Sequence, residues 1–262
     1  MILDHPSRLI RSAAALLIVL TMGLICTSTA AQDKEKLPPL LTDDDIELIK
    51  VYEVDLKSDP PPRIDIPKDE LKKFLEENQQ DDRIPRDRKW RDSFLKGDGY
   101  KKLQFLFDFK ARDYYKHVRV KSQIQSLRDW RTIHRRYIHG FFQPTFATGQ
   151  VPELYLFPRV RGLDAEKIEM TNFYILTQVT IGGKAIIDRN QPEESLLVQW
   201  GLPRDAAKFP APKVDGWAPK FKGVKDERFI EHVDWIKSLI AANQDSTLGI
   251  EYKVPRHKKP DN

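Results

Sequence analysis

Apolar residues recur at helical spacing in two stretches of the chain, and each stretch predicts a buried helix. In residues 122–141 the positions on or near one face are Ile124, Leu127, Trp130, Ile133 or His134, Tyr137, Ile138 and Phe141. In residues 226–241 they are Phe229, Ile230, Val233, Ile236, Leu239 and Ile240. Asp226 and Glu227 stand at the start of the second stretch, where acidic side chains favour the positive end of a helix dipole.

Shorter patterns occupy the first part of the chain. Residues 49–56 and 63–66 roughly alternate between apolar and polar positions, which predicts two short strands. Pro67 suits a first helical position, and the helix that follows has an apolar stripe of Leu71, Phe74 and Leu75. Residues 103–109 are dense in aromatic side chains, which predicts core packing.

Three further segments carry turn and capping patterns. Thr42 stands three residues before Asp45, the spacing of a capping box at a helix start. A calcium site at Asp43, Asp44 and Asp45 is the alternative, although the acids lack the spacing of a calcium loop. Gly182-Gly183 between two apolar runs predicts a hairpin turn. Residues 154–161 look strand-like, and residues 171–176 suit either a helix turn or a strand.

The first residues have the pattern of an export signal. Arg8 and Arg11 precede an apolar run at 13–25, and small residues follow, so cleavage is expected near Ala30 or Ala31. The run is shorter than the roughly 20 residues of a membrane span, so no transmembrane span is predicted in the mature chain. A periplasmic or secreted location follows. The single cysteine, Cys26, lies in this signal, so burial without disulfides must stabilise the mature fold.

Charge gives one candidate binding surface. The net charge of +5 comes from interleaved acidic and basic residues and does not by itself imply a polyanionic partner. Nucleic acid is not expected outside the cytoplasm. One face of the 122–141 helix is basic, and it predicts a patch for an anionic ligand or partner, with a solvated helix face as the alternative. The patch residues are Arg128, Arg131, Arg135 and Arg136.

No arrangement of residues indicates catalysis or a metal site. The chain lacks a Gly-x-Ser-x-Gly motif, a cysteine nucleophile in its mature part and a phosphate-binding loop. His134 and His139 are five residues apart, which does not place two imidazoles on one face of an α-helix. The other histidines are expected at the surface or hydrogen-bonded in the core. Trp200 and Trp217 leave a sugar-binding enzyme or lectin as an open alternative.

Several segments of the second half resemble an exported bacterial family built around a class I cytochrome c-like domain. They are Thr171-Asn-Phe-Tyr-Ile-Leu176, Ile187-Asp-Arg-Asn-Gln-Pro-Glu-Glu-Ser-Leu-Leu197, Gly201-Leu-Pro-Arg-Asp205 and Asp234-Trp-Ile236. The resemblance implies a cytochrome c-like helical domain at 122–248, in which the closing helix crosses the 122–141 helix. A small α+β region at 32–121 precedes it, and an exposed tail at 249–262 follows. The expected fold class is mainly α with short β segments.

The family's haem-attachment motif would fall within residues 140–149, and this chain has neither cysteine nor histidine there. The loop at 208–213 also lacks the methionine or histidine that ligates haem from the other side. The resemblance therefore implies a haem-free member of the family. Three phenylalanines are expected to fill the space of the macrocycle: Phe141, Phe142 and Phe146.

These observations predict an exported, non-enzymatic binding or structural module on a haem-free cytochrome c-like scaffold. The expected partner is another exported or envelope protein. The alternative is an electron-transfer protein or a subunit of a redox complex. It would hold non-covalent haem through His134 or His139, or would dock beside a haem-bearing partner.

Overall fold

Helices dominate the structure, a computed structural model that describes residues 37–240 and 248–257. The predicted mainly α class with short β segments is confirmed. The α-helices of the described residues are α1 (Asp43–Tyr52), α2 (Lys68–Glu77), α3 (Arg88–Lys96), α4 (Gly99–Asp108), α5 (Gln125–Ile133), α6 (Gln143–Phe146), α7 (Ala165–Gln178), α8 (Leu196–Gln199) and α9 (Glu227–Ser238). A π-helix spans His134–Phe142, and 3-10 helices span Arg112–His117 and Pro192–Glu194. The predicted export signal lies outside the described residues.

The strands form two short antiparallel pairs. Strand β1 (Ile64–Asp65) pairs with β2 (Arg119–Val120), and β3 (Thr180–Ile181) pairs with β4 (Lys184–Ala185). Between β3 and β4, Gly182 and Gly183 have φ of 57° and 75°, which confirms the predicted hairpin turn because glycine accepts positive φ without strain. Residues 154–161, predicted to be strand-like, are irregular instead.

The start of α1 confirms the capping box. Thr42 Oγ1 accepts from the Asp45 N–H at 3.2 Å, and the Asp45 carboxylate accepts from the Thr42 N–H at 2.9 Å. The neighbouring acids have other partners, since Asp43 pairs with a lysine and Asp44 with an arginine. Helix α1 continues to Tyr52, so the strand predicted at 49–56 is wrong. Ile49, Val51 and Tyr52 are buried within the helix instead.

The aromatic block at 103–109 packs in the core, as predicted. Its residues lie in and just after α4 and face α2, whose buried Leu71, Phe74 and Leu75 form the expected stripe. Phe74 is the centre of this cluster, with edge-on ring contacts to Phe105, Phe109 and Tyr114 at 6.1, 5.3 and 5.4 Å between centroids. Such edge-to-face geometry is favourable for aromatic pairs.

A single helical segment runs from α5 through the π-helix to α6. The helix predicted at 122–141 is therefore confirmed, with its first residue at Gln125 and its last beyond the prediction. Its apolar face is buried, and Trp130 is only 1% exposed. The segment predicted as helix turn or strand at 171–176 lies inside α7, which is helical throughout.

The closing helix α9 begins after Asp226, whose side chain caps it as expected. It packs on α5, where the rings of Trp130 and Trp235 stack with centroids 5.4 Å apart. The Trp235 indole N–H donates to the Ser126 carbonyl at 2.9 Å. One predicted core position is wrong: Ile230 is 45% exposed, because the buried face of the helix is centred on Val233 and Ile236.

From Pro38 onward, the described residues form one compact unit. A buried ion pair joins the parts before and after residue 121: the Arg189 guanidinium donates to the Glu53 carboxylate at 2.6 Å. The other oxygen of Glu53 accepts from the Ile240 N–H at 3.1 Å. Glu53 is 1% exposed, so this carboxylate needs both partners to remain in the core.

The last described segment packs against this unit, in contrast to the exposed tail predicted at 249–262. Leu248 and Ile250 are buried, and the Tyr252 hydroxyl donates to the Pro39 carbonyl at 2.8 Å. Alternate side chains of the segment face the core, which is why it stays in place without secondary structure. In the part of the chain that the structure describes, no helix combines the length and apolarity of a membrane span.

Candidate anion-binding groove and histidine pair

A groove with a volume of about 360 Å³ lies beside the first turns of α5. Its walls come from the end of α1, from residues 120–124 between β2 and α5, from α5 itself and from the first turns of α7. Most of the lining residues are polar or charged, and the apolar ones, called the floor below, are Val120, Ile124, Leu127, Trp130 and Met170. The groove therefore offers a small binding site next to the core.

Four cationic side chains surround this floor: Lys50, Lys121, Arg128 and Arg131. Two of them are engaged, since Lys50 pairs with Glu47 at 2.8 Å and Arg131 pairs with Glu169 at 3.2 Å. Within the described residues, Lys121 and Arg128 form no ion pair. These two charges are available to a ligand.

The α7 side of the groove carries the opposite charge. Glu166 and Glu169 line it, and both face the Arg131 guanidinium, at 3.9 and 3.2 Å. Burial raises the pKa of the Glu169 carboxyl, while the charge and hydrogen bond of Arg131 lower it. Arg131 balances the two carboxylates of the α7 side only in part, and the cations without an ion pair, Lys121 and Arg128, lie on the other side.

The first turn of α5 adds to this positive side. The helix begins after Ile124, which has no side-chain acceptor for the first N–H groups. Those groups carry the positive end of the helix dipole. Because Ile124 and Leu127 both line the groove, this helix start faces the same space as Arg128.

The structure divides the predicted basic patch into two parts. All four arginines are exposed, as expected for a polar helix face. Arg128 and Arg131 line the groove, whereas Arg135 and Arg136 lie further along, in the π-helix, and do not line it. Lys50, Lys121, Glu166 and Glu169 were missed by the sequence analysis. They come from three other segments, and no local pattern marks them.

The π-helix brings His134 and His139 together. Hydrogen bonds in a π-helix join residues five apart, so such residues lie on the same side of adjacent turns. The two imidazole centroids are 4.3 Å apart with an interplanar angle of 66°. The prediction that these two histidines would not share a face was therefore wrong, since it assumed α-helical geometry throughout.

Asn172 of α7 fixes the hydrogen-bonding state of His134. The Phe157 N–H donates to Asn172 Oδ1 at 2.8 Å, so the side-chain nitrogen of Asn172 is the atom 3.0 Å from His134 Nε2. An amide nitrogen only donates, so Nε2 accepts and the proton of His134 lies on Nδ1. His134 is 0% exposed, and burial followed by the nearby His139 lowers its pKa to about 3. His134 is therefore a neutral core residue.

His139 is half-buried, and burial followed by the positive charge of Arg159 lowers its pKa. Both imidazoles are thus neutral at pH 7. His134 cannot bind a metal through Nε2 without breaking its bond to Asn172, and its Nδ1 carries the proton. Among the described residues, no group of three or more histidine, cysteine, aspartate or glutamate side chains is placed to hold a metal ion.

The remaining described histidines have structural contacts, as expected. His117 lies 3.5 Å from Glu70, and His257 Nε2 lies 2.8 Å from the Ala147 carbonyl. His232 is buried, and its Nδ1 donates to the Arg228 carbonyl at 2.6 Å. These positions are explained by local hydrogen bonds and ion pairs.

The segment where the resemblance places haem attachment is filled with aromatic rings. The Phe146 ring lies 5.6 Å from Phe141 and 5.0 Å from Phe142, and all three residues are buried. Trp200 packs against Phe146 at 4.8 Å and is only 3% exposed. Trp200 therefore cannot stack on a sugar, and the Trp217 indole N–H is bonded to the Trp200 carbonyl.

No protein-family profile, no curated protein and no solved structure matches this chain.

Proposed function

We propose that this protein is an exported, non-enzymatic binding module on a haem-free cytochrome c-like scaffold, and that it binds an anionic group in the groove. The anion belongs to a ligand or to another exported or envelope protein. The observation that carries the proposal is the position of Lys121 and Arg128, two cationic side chains without an ion pair in the described residues, beside the apolar floor of the groove.

The arginine favours a negatively charged ligand for a geometric reason. A guanidinium donates two parallel hydrogen bonds to a carboxylate or phosphate, which gives both strength and orientation. Arg131 has a carboxylate partner in Glu169, to which its Nε donates one hydrogen bond at 3.2 Å, whereas Arg128 has no such partner among the described residues. An anionic ligand would supply Arg128 with a hydrogen-bond acceptor, as Glu169 does for Arg131.

The haem-free part of the proposal is supported by the aromatic packing. The only cysteine of the chain is Cys26, within the predicted signal, so thioether attachment has no thiol in the mature chain. Phe141, Phe142 and Phe146 occupy the segment where the resemblance places the haem motif, and they pack on one another. This is the arrangement expected if phenylalanine rings replace a macrocycle.

An electron-transfer role is the second candidate, and the observation that favours it is the pairing of His134 and His139. His134 is buried with its Nε2 bonded to Asn172, so His139 would be the ligand. An absorption spectrum of the protein purified from the exported fraction tests this role. A Soret band would replace the binding-module proposal with the electron-transfer one, and a flat visible spectrum supports a haem-free scaffold.

The groove is tested with a fluorescein-labelled hexaglutamate peptide and fluorescence anisotropy. A charge-assisted hydrogen bond contributes about 1.5–3 kcal/mol, so Arg128→Gln should weaken binding about tenfold or more. Arg136→Gln is the matched control, because Arg136 is an exposed arginine of the same helical segment that does not line the groove. Equal losses in both variants would show that the peptide senses only the general surface charge, and the groove assignment would fail.

A further inference from the structure

The chemistry of the groove defines its ligand more narrowly than charge alone. We infer that the groove binds a carboxylate attached to a small apolar group, with the carboxylate at Arg128 and Lys121 and the apolar group on the floor. This inference rests on the proposed function and specifies its ligand class. The carboxylate can come from a free carboxylic acid or from the C-terminal residue of a partner protein.

The volume of the groove limits the size of this group. At about 360 Å³ it lies near the lower end of ligand sites, which run from about 300 to 1,000 Å³. A branched aliphatic chain or a single aromatic ring fits this space, and an extended polymer would engage it only through one residue. The site is therefore suited to one apolar group.

The floor gives the reason for an apolar group. Trp130 and Met170 are almost fully buried beneath it, while Ile124 and Leu127 are half-buried. Apolar surface left in contact with water costs about 25 cal/mol per Å². A ligand that covers Ile124 and Leu127 removes that cost, and an inorganic anion of the same charge does not.

The acidic side gives the reason for a single negative charge. Glu166 and Glu169 lie on the opposite wall, and Arg131 balances them only in part. A second negative charge on the ligand, as in the phosphate dianion, would be repelled by these two carboxylates. A carboxylate carries one charge and has the planar shape that a guanidinium binds with two hydrogen bonds.

The test uses NMR titration of the ¹⁵N-labelled purified protein, with the indole N–H of Trp130 as the reporter. This N–H donates to the Glu169 carbonyl at 3.1 Å, so it reports directly on the groove. The ligands are 4-methylpentanoate, the uncharged 4-methylpentan-1-ol, acetate and inorganic phosphate. The expected result is that 4-methylpentanoate binds at least tenfold more tightly than each of the other three.

Variants show which side chain binds the carboxylate of the ligand and which binds its apolar group. Arg128→Gln should weaken 4-methylpentanoate about tenfold and leave the alcohol unchanged, whereas Leu127→Asn should weaken both. Arg136→Gln should change neither. Thermal unfolding followed by circular dichroism confirms that each variant is folded, and all three altered side chains are at least partly exposed, so folding should survive.

The possible failures separate the inference from the proposed function. If acetate or phosphate binds as tightly as 4-methylpentanoate, the apolar requirement is wrong while anion binding stands. If the alcohol binds as tightly as the acid, the carboxylate requirement of the inference is wrong. If neither these ligands nor hexaglutamate bind, the proposed function itself is wrong. A peptide ending in leucine, as free acid and as amide, identifies the source. If the peptide binds as the free acid but not as the amide, and at least as tightly as 4-methylpentanoate, the result supports a protein C-terminus as the source. If the free-acid peptide does not bind, the result supports a small carboxylic acid.

Discussion

Acid should destabilise this protein through His134 in a way that one substitution can isolate. Burial lowers the pKa of His134 from 6.5 to about 3, so the folded protein does not take up a proton there when the unfolded chain does. The stabilisation is complete above pH 6.5 and is lost as the pH falls toward 3. The pH of 4.5 is two units below the pKa of this histidine in the unfolded chain. The stabilisation lost at that pH is therefore about 2.7 kcal/mol, at 1.36 kcal/mol per unit.

The perturbation is His134→Gln, which keeps an acceptor for Asn172 and removes the titrating group. Urea unfolding at pH 7.5, 6.0 and 4.5 gives the free energy of unfolding of both proteins. Groups that do not contact residue 134 titrate equally in the two proteins, so the difference reports His134 together with its neighbour His139. The advantage of the wild type over His134→Gln should shrink by about 2–3 kcal/mol between pH 7.5 and 4.5. Parallel pH profiles would refute the assignment of a neutral, buried His134.

Two further predictions concern the core, and urea unfolding measures both. Glu53→Gln leaves the Arg189 charge buried without its carboxylate and should lower the free energy of unfolding by about 3–5 kcal/mol. Replacing both residues by apolar residues of similar size should cost less. Similar losses in the single and the double variant would argue against a buried pair. Ile236→Ala should cost about 2–5 kcal/mol, and Ile230→Ala should stay within about 0.5 kcal/mol because its side chain is largely exposed. Equal losses at these two positions would contradict the described face of α9.

The elements predicted correctly depend on residues close together in the sequence. The capping box joins Thr42 to Asp45, and the hairpin needs only Gly182 and Gly183 to adopt positive φ. The long helix and the closing helix were found because their apolar residues repeat over many turns. The strand at 49–56 was predicted wrongly because its short run of apolar residues fits both an alternating and a helical pattern. The first part of this run belongs to α1, which begins at Asp43 and continues to Tyr52.

The site could not be predicted because it depends on contacts between distant segments and on a change of helix type. Arg128 was identified from its helix face, but Lys50 and Glu169 reach the groove from α1 and α7. Spacing rules for helices assume the α form, so the meeting of His134 with His139 was not foreseen. A helical pattern in the sequence does not distinguish an α-helix from a π-helix over two turns.

Ring contacts and hydrogen bonds between helices hold the lining of the groove, and this bears on how the proposed module would bind its ligand. Trp130 forms its floor, stacks on Trp235 of α9 and donates a hydrogen bond to Glu169 of α7. The Leu41 N–H donates to Thr171 at 3.1 Å, which holds the start of α1 to α7. Ordering side chains and loops costs about 0.5–1.5 kcal/mol for each immobilised side chain, and a site already held in place avoids most of that cost. Under the proposed function, the core of this fold therefore contributes to affinity by keeping the floor and both walls of the groove in position before the ligand arrives.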